Sequence, residues 1–494
     1  MVLLSLALSL ADQRKKVAAA SSQSLVSTLP AKLPAAVIGT LLAAAAAESV
    51  GVNVKSLLPA CLTNGELGTA LDRLFGKEEA AKEGAVAEKA KKIRILGFDS
   101  IRFFLIAYIM SGHFISFLHP GKFAFRAITQ INVVVGAFFA LSGYVAAYTT
   151  TELQEYKASD KMMKTPTPKW IMQKIFGYYP LHLFVLALFS PMFMYSDVKF
   201  SGLPTAIFNG MLELTLSQAW FPMHAEVWNA PTWFLSALSY ATVVLRFALP
   251  VIAKQTKNQL THTAGFLFLF SLVPKLGYCD DHDAWGLLEG ALPAKQMPNL
   301  AIFNTQRFNP LYASFEVLMG AVACRMVMLD GAKDEAEAPR HHMWNSLLPL
   351  MAMVDTVLLR ARGRVHLSDV LTRSCIFIPL FLRFLMSVHR ASAKKDLGND
   401  PVVKVLNHPL LIQLGNISFP IFVVHGPIGQ LFYKKVIATK LFGGPLDKQI
   451  GPNFFYVYLA SCVAAAKVLE MTFLKSKKVD ELSKEAVEEL SSFM

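Results

Sequence analysis

Two ionisable side chains, Arg102 and His113, lie in the first long apolar stretch of the chain. They are eleven positions apart. In an α-helix that spacing is three turns plus roughly 20°, so both side chains leave one face, about 16 Å apart along the axis. Ionisable groups in hydrocarbon cost a few kcal/mol and are usually paired or functional. The pair therefore indicates a site that holds a charged head group at Arg102 and places a reactive group beside His113.

Asp99 precedes Arg102 by three residues and shares its helix face, so we expect it to fix the guanidinium. A structural explanation of the same residues remains open. Arg102 could extend to lipid headgroups, as long basic side chains do near helix ends, and His113 could cap a buried carbonyl group.

Membrane helices must position these residues. The 494 residues are 54% hydrophobic and only 17% charged, and the apolar residues form blocks of about twenty, enough for a helix to cross the hydrocarbon core. The composition excludes intrinsic disorder and predicts an all-α polytopic membrane helix bundle. Apolar windows predict eleven crossings, at 98–118, 131–150, 174–194, 203–221, 229–252, 262–278, 310–329, 343–360, 367–388, 409–433 and 452–473.

Basic residues at both ends predict the orientation, because positive charge favours the cytoplasmic side. They precede the first crossing and follow the last, at Lys89, Lys91, Lys92, Arg94, Lys475, Lys477 and Lys478. Both termini are therefore expected to be cytoplasmic, which requires an even number of crossings. The weakest windows are 203–221, which contains Glu213, and 262–278, which is short and contains Pro274. We expect about ten crossings and a non-cytoplasmic loop around 279–308.

Composition shifts divide the chain into three regions. Residues 1–93 are predicted to form an N-terminal extension that is partly disordered or a targeting segment. Residues 94–475 form the membrane domain, and residues 476–494 form a charged C-terminal tail. The sequence predicts a multi-pass protein of the lipid bilayer without indicating its organelle.

The net charge of +13 is typical of basic loops that meet anionic lipid headgroups. No basic stripe is interleaved with aromatic residues, so no nucleic-acid partner is expected. The five cysteines are scattered, without a CxxC or Cys/His cluster. Neither a disulfide framework nor a metal site is predicted.

Short stretches that contain polar or small residues occur in the later apolar blocks. They are FFALSGY at 138–144, WFLS at 233–236, FEVLMG at 315–320 and GNISF at 415–419 followed by His425. In this order, together with the spacing of Arg102 and His113, they resemble the acyltransferase 3 family of integral membrane acyltransferases. The resemblance extends over roughly residues 95–475.

That resemblance implies transfer of an acyl group, most commonly acetyl, from acyl-CoA to a hydroxyl of a glycan, a lipid or a small metabolite, with no further cofactor. His113 is then the expected general base, because a neutral imidazole can accept the proton of the attacking hydroxyl. Arg102 is expected to bind the phosphates of the donor or to steady the site. An acyl-histidine intermediate is an open alternative.

Seven other residues are candidates for substrate binding. Asp99 is one because of its position beside Arg102, and the stretches that carry the resemblance supply the others: Ser142, Gly143, Trp233, Ser236, Glu316 and His425. Structural alternatives accompany several of them. Ser142 and Gly143 could simply let two helices approach closely, and Trp233 could anchor a helix at the membrane interface. His425 could be a hydrogen-bonded histidine of the core.

One position departs from the family pattern. Members often carry a glutamate three residues after the leucine of the WFLS-like stretch, and this chain has Leu238 there. Glu316 could supply the missing carboxylate, or it could form a structural ion pair with Arg102 or Arg325. A transmembrane transporter and a non-catalytic scaffold on the same fold remain alternative functions.

Overall fold

The computed structural model describes residues 92–292, 294–330, 343–393 and 400–493. All of them belong to the second of the two units into which the chain divides, Ala85–Met494. The extension predicted over residues 1–93 lies outside the described residues except for its last two.

Helices account for most of the described chain. Within those residues no strand forms, and only Thr151 and Ala158 make an isolated antiparallel bridge. The all-α prediction is confirmed. The α-helices are α1 Gly97–His113, α2 Lys122–Ile128, α3 Ile131–Thr150, α4 Asp160–Lys164, α5 Thr167–Ile175, α6 Tyr179–Ser201, α7 Leu203–Leu214, α8 Trp233–Lys254, α9 Lys257–Asp281, α10 Leu300–Phe308, α11 Pro310–Met328, α12 Trp344–Ala361, α13 Asp369–Thr372, α14 Ile378–Ala393, α15 Pro401–Leu406, α16 Pro409–Asn416, α17 Ser418–Tyr433, α18 Lys435–Phe442, α19 Leu446–Ile450, α20 Phe454–Leu469 and α21 Lys477–Ser492.

Seven helical segments of the described chain are long and apolar enough to cross a membrane. They are Lys122–Thr150, Tyr179–Ser201, Ala230–Lys254, Lys257–Asp281, Leu300–Met328, Asp369–Ala393 and Phe454–Leu474. An eighth is added if α16 and α17, which meet at a 56° bend, form one span. The expected count of about ten crossings is not confirmed.

Individual windows differ from the helices that form. The window 203–221 contains α7, whose 12 residues span only about 18 Å, because the chain turns after Leu214. The window 262–278, taken as weak, lies inside the 25-residue helix α9, and Pro274 does not break it. The loop expected over 279–308 is also shorter, since α10 begins at Leu300.

The first predicted crossing, 98–118, ends early. Helix α1 stops at His113, a 3₁₀ turn follows over Ile115–Leu118, and His119 adopts a left-handed conformation with φ of 50°. Pro120 then disfavours further helix at the preceding residue. His113 is therefore the last residue of its helix, at a break inside the bundle.

The centre of the bundle is the contact between α3 and α11, where two glycines let the backbones approach closely. A Cβ atom on Gly143 would lie 1.7 Å from the carbonyl oxygen of Val317, and one on Gly320 would lie 1.9 Å from that of Ala140. Small residues permit such contacts between membrane helices, where packing drives association. The contact fixes α3, and thereby the polar residues along it, against the rest of the bundle.

Candidate active site

A cavity of about 480 Å³ lies among α1, α3, α8, α17 and the loops that precede α8 and α10. Arg102, His113, Ser142 and Trp233 all line it. The two residues that the helical spacing placed on one face of α1 therefore open into a single cavity, as that spacing predicts.

His113 pairs with His425 of α17. Its Nδ1 atom lies 3.0 Å from Nε2 of His425, and the two rings stack with centroids 5.2 Å apart. His425 is fully buried, whereas His113 is exposed to the cavity. The bent segment that contains α16 and α17 thus brings the second histidine to the first.

The backbone around His425 decides how the protons are placed in this pair. Its Nδ1 atom lies 2.8 Å from the carbonyl oxygen of Phe422 and 3.2 Å from that of Ile421. A carbonyl oxygen only accepts, so Nδ1 of His425 must donate and its Nε2 must accept. Nδ1 of His113 then donates to that nitrogen, and Nε2 of His113 keeps a free lone pair. A ring that lines the cavity is thereby set up to take a proton.

Arg102 lies towards the other end of α1 and is held by Asp99. Its Nη1 atom donates to one carboxylate oxygen of Asp99 at 2.6 Å, and Nη2 of Arg94 donates to the other at 2.8 Å. One carboxylate therefore faces two guanidinium groups, which leaves a net positive charge. The Arg102 side chain remains 33% exposed, so it is accessible to an anionic ligand.

Between the two ends the walls of the cavity are mostly apolar. Val135, Phe138, Leu238, Phe419 and Phe422 line it. Leu238, at the position where family members often have a glutamate, faces the cavity without adding charge. Ser142 lines the cavity as well, and its hydroxyl donates to the carbonyl oxygen of Phe138 at 2.7 Å.

A second charged group lines the cavity and escaped the sequence analysis. We call it the Arg307 cluster: Arg307, Glu226, Glu289 and Asn132, all of which line the cavity. Nη2 of Arg307 lies 3.0 Å from Glu226 and 2.7 Å from Glu289. Asn132 donates to the other oxygen of Glu289. Only the acidic composition of the loop before α10 hinted at such a group, because its members are scattered in sequence.

Burial and neighbouring charge perturb Glu289. Loss of solvation raises the pKa of its carboxyl to about 7, and the Arg307 guanidinium opposes that rise. Two contacts hold the loop that carries Glu289. The backbone N–H of Glu289 donates to Asp369 at 2.8 Å, and Asp369 forms an ion pair with Arg360. Gly290 packs so tightly that a Cβ atom would lie 2.4 Å from the carbonyl oxygen of Thr129.

Not every residue singled out from the sequence reaches the cavity. Gly143 is packed against α11, as expected if it serves to let two helices approach closely. Ser236 is buried, and its hydroxyl accepts from the backbone N–H of Ala219 at 3.2 Å. His425 touches the cavity only through His113.

The role predicted for Glu316 needs a correction. It is buried, does not line the cavity, and pairs through both oxygens with Arg373, with Lys275 at 3.9 Å. The partners considered from the sequence, Arg102 and Arg325, were wrong. Arg102 pairs with Asp99, and Arg325 donates to the backbone oxygens of Glu152, Glu155 and Ala253. Glu316 therefore cannot replace the family's glutamate in the cavity, since the packing of α9, α11 and the π-helical turn Arg373–Phe377 surrounds it.

Metal ligands are not grouped in the part of the chain that the structure describes: no three His, Cys, Asp or Glu residues lie close enough to hold an ion.

The family model named Acyltransferase domain (Acyl_transf_3) matches residues 95–471. No curated protein and no solved structure matches the chain.

Proposed function

This chain belongs to the acyltransferase 3 family, and from that premise we propose that it transfers an acyl group, expected to be acetyl, from acyl-CoA to an acceptor hydroxyl inside the membrane. The observation that carries the proposal is the His113–His425 pair, whose hydrogen bonds leave a proton-accepting nitrogen on a ring that lines the cavity. Arg102 lines the same cavity.

The donor is proposed to bind at the Arg102 end. Arg94 and Arg102 share a single carboxylate, so one positive charge is left to attract phosphate, and guanidinium groups bind phosphate through two parallel hydrogen bonds. The apolar walls beyond Arg102 suit the uncharged pantetheine arm, which links the phosphates of acyl-CoA to its thioester. The thioester would then reach His113, about 16 Å deeper along the helix.

The reaction proposed at His113 is a direct transfer. Nε2 takes the proton of the acceptor hydroxyl as its oxygen attacks the thioester carbonyl carbon. The new C–O bond forms, the C–S bond breaks, and the thiolate of CoA leaves with the electron pair of that bond. The proton on Nε2 then passes to the thiolate, which restores the neutral imidazole.

His425 is proposed to orient the base. While His113 carries the extra proton, its Nδ1–H still donates to Nε2 of His425, whose own Nδ1–H donates to the carbonyl oxygen of Phe422. This chain holds the His113 ring in one tautomer and spreads part of its transient positive charge towards the backbone.

The proposal is tested with the His113→Ala variant in lipid nanodiscs. We expect acyl transfer to fall by about 10²–10⁴-fold, the range for loss of a general base, while expression and folding are kept. The measurement is mass spectrometry of lipids and glycans acylated by labelled acetyl-CoA. His366→Ala removes an exposed histidine from a loop and is the matched control.

Undiminished product in His113→Ala would eliminate this assignment of the base. A transporter, when reconstituted into sealed vesicles, would instead move a solute across the membrane and would form no acylated product in nanodiscs.

A further inference from the structure

The Arg307 cluster lines the cavity near the His113 end of α1, its second end: a Cβ atom on Gly112 would lie 2.7 Å from Cγ1 of Ile131, the residue before Asn132. Its members come from four separate places in the chain: the start of α3, the loop before α8, the loop before α10 and the end of α10. Such convergence of polar groups on a mostly apolar cavity is typical of a site that selects its ligand.

The charges of the cluster do not cancel. Arg307 faces two carboxylates, Glu226 and Glu289, at 3.0 and 2.7 Å. Among the described residues that line this end, Arg307 is the sole cation, and both of its contacts to carboxylates use Nη2. With both carboxylates ionised, the cluster carries one net negative charge. Arg307 is therefore occupied by internal partners and cannot neutralise an anionic ligand without giving up one of them.

The accessible group left for a ligand is a hydrogen-bond acceptor, because the Arg307 side chain is only 13% exposed and its Nε–H, which has no partner among the described residues, is buried. One oxygen of Glu226 accepts from Arg307, while the side chain is 45% exposed. Carboxylate oxygens accept and do not donate, so a ligand at this end must supply donors. Hydroxyl groups do so without carrying charge, whereas a carboxylate or phosphate on the ligand would be repelled by the like charge of Glu226.

We propose that the Arg307 cluster is the acceptor subsite of the cavity and that Glu226 makes it selective for uncharged, hydroxyl-rich acceptors over anionic ones. This inference rests on the proposed acyl transfer and names the acceptor side of that site. Arg307 and Asn132 are then positioning residues, since they hold the carboxylates by hydrogen bonds.

The test compares two sugars of the same shape, methyl glucoside and methyl glucuronide, as acceptors at mildly alkaline pH with acetyl-CoA as donor. We expect the full-length protein to prefer the glucoside by about tenfold in kcat/KM. In Glu226→Gln the preference should shrink to about twofold, mainly through better use of the glucuronide, with the KM for acetyl-CoA unchanged. Asp281→Asn, which neutralises an exposed carboxylate at the end of α9, should keep the tenfold preference.

Equal use of both sugars by the unsubstituted protein, or an unchanged ratio in Glu226→Gln, overturns the inference. So does failure of the glucoside both to be acylated and to stabilise the protein against heat. None of these results touches the proposed function, which the His113→Ala comparison tests on total acylated lipids and glycans with no chosen acceptor.

Discussion

At His425 a single hydrogen bond determines which ring nitrogen of His113 is free to accept a proton. If His425 were absent, Nδ1 of His113 would have no described side-chain partner, and the ring could flip or change tautomer. Such a residue positions the reacting group without touching the substrate, so its loss should lower the rate of the chemical step rather than the binding of the donor.

We therefore expect His425→Leu to lower kcat by roughly 10–10²-fold, less than loss of the base itself, and to leave the KM for acetyl-CoA unchanged. His425→Gln should recover part of the activity, because its amide oxygen can accept from Nδ1 of His113. Steady-state kinetics in nanodiscs measures both values. A purely structural role for His425 would predict that neither variant separates kcat from KM.

At the scale of elements, the contact between α3 and α11 supports one wall of the cavity. The backbones meet at Gly143 and Gly320, so a methyl group at either position would push the helices apart. Because α3 also carries Asn132 and Ser142, such a shift would displace both ends of that wall.

Gly143→Ala should therefore destabilise the protein by about 1–3 kcal/mol, the usual effect of inserting a methyl group into a packed core. Gly265→Ala is the control, because a Cβ atom there meets nothing within 4 Å, and alanine favours helix over glycine. Thermal unfolding in detergent compares the two variants. Equal midpoints for both would contradict the close approach of α3 and α11.

At the scale of the whole molecule, one cavity is lined by Arg102 and by the Arg307 cluster. The cluster includes Glu289, and we expect this residue to make the stability of the protein depend on pH. The pKa of Glu289 is raised in the folded state to about 7. The folded protein then binds the proton more tightly than the unfolded chain, so protonation of this group favours folding.

The contribution of Glu289 should therefore be fully present below its ordinary pKa and be lost as pH rises towards about 7. Glu289→Gln should flatten the fall in thermal stability over that interval. Unfolding midpoints of the two proteins, measured across the interval, check this. Parallel curves would show that Glu289 does not titrate there.

The sequence alone determined the features that depend on local order. Apolar blocks of about twenty residues specify helices wherever backbone polar groups must be satisfied in lipid, and helical periodicity put Arg102 and His113 on one face. Asp99 lies one turn from Arg102, so their ion pair was also within reach of sequence reasoning. The motif order was sufficient to indicate the family.

Only the tertiary structure decided which distant residues meet. His113 and His425 are 312 positions apart, and the partners of Arg307 and Glu316 lie on other elements. Such contacts depend on how the helices pack and where they end. Neither the helical periodicity nor the composition of the sequence encodes these two properties. For the same reason, short helices such as α7 and the early end of α1 departed from the hydropathy windows. An apolar window measures length and not the turns that packing imposes.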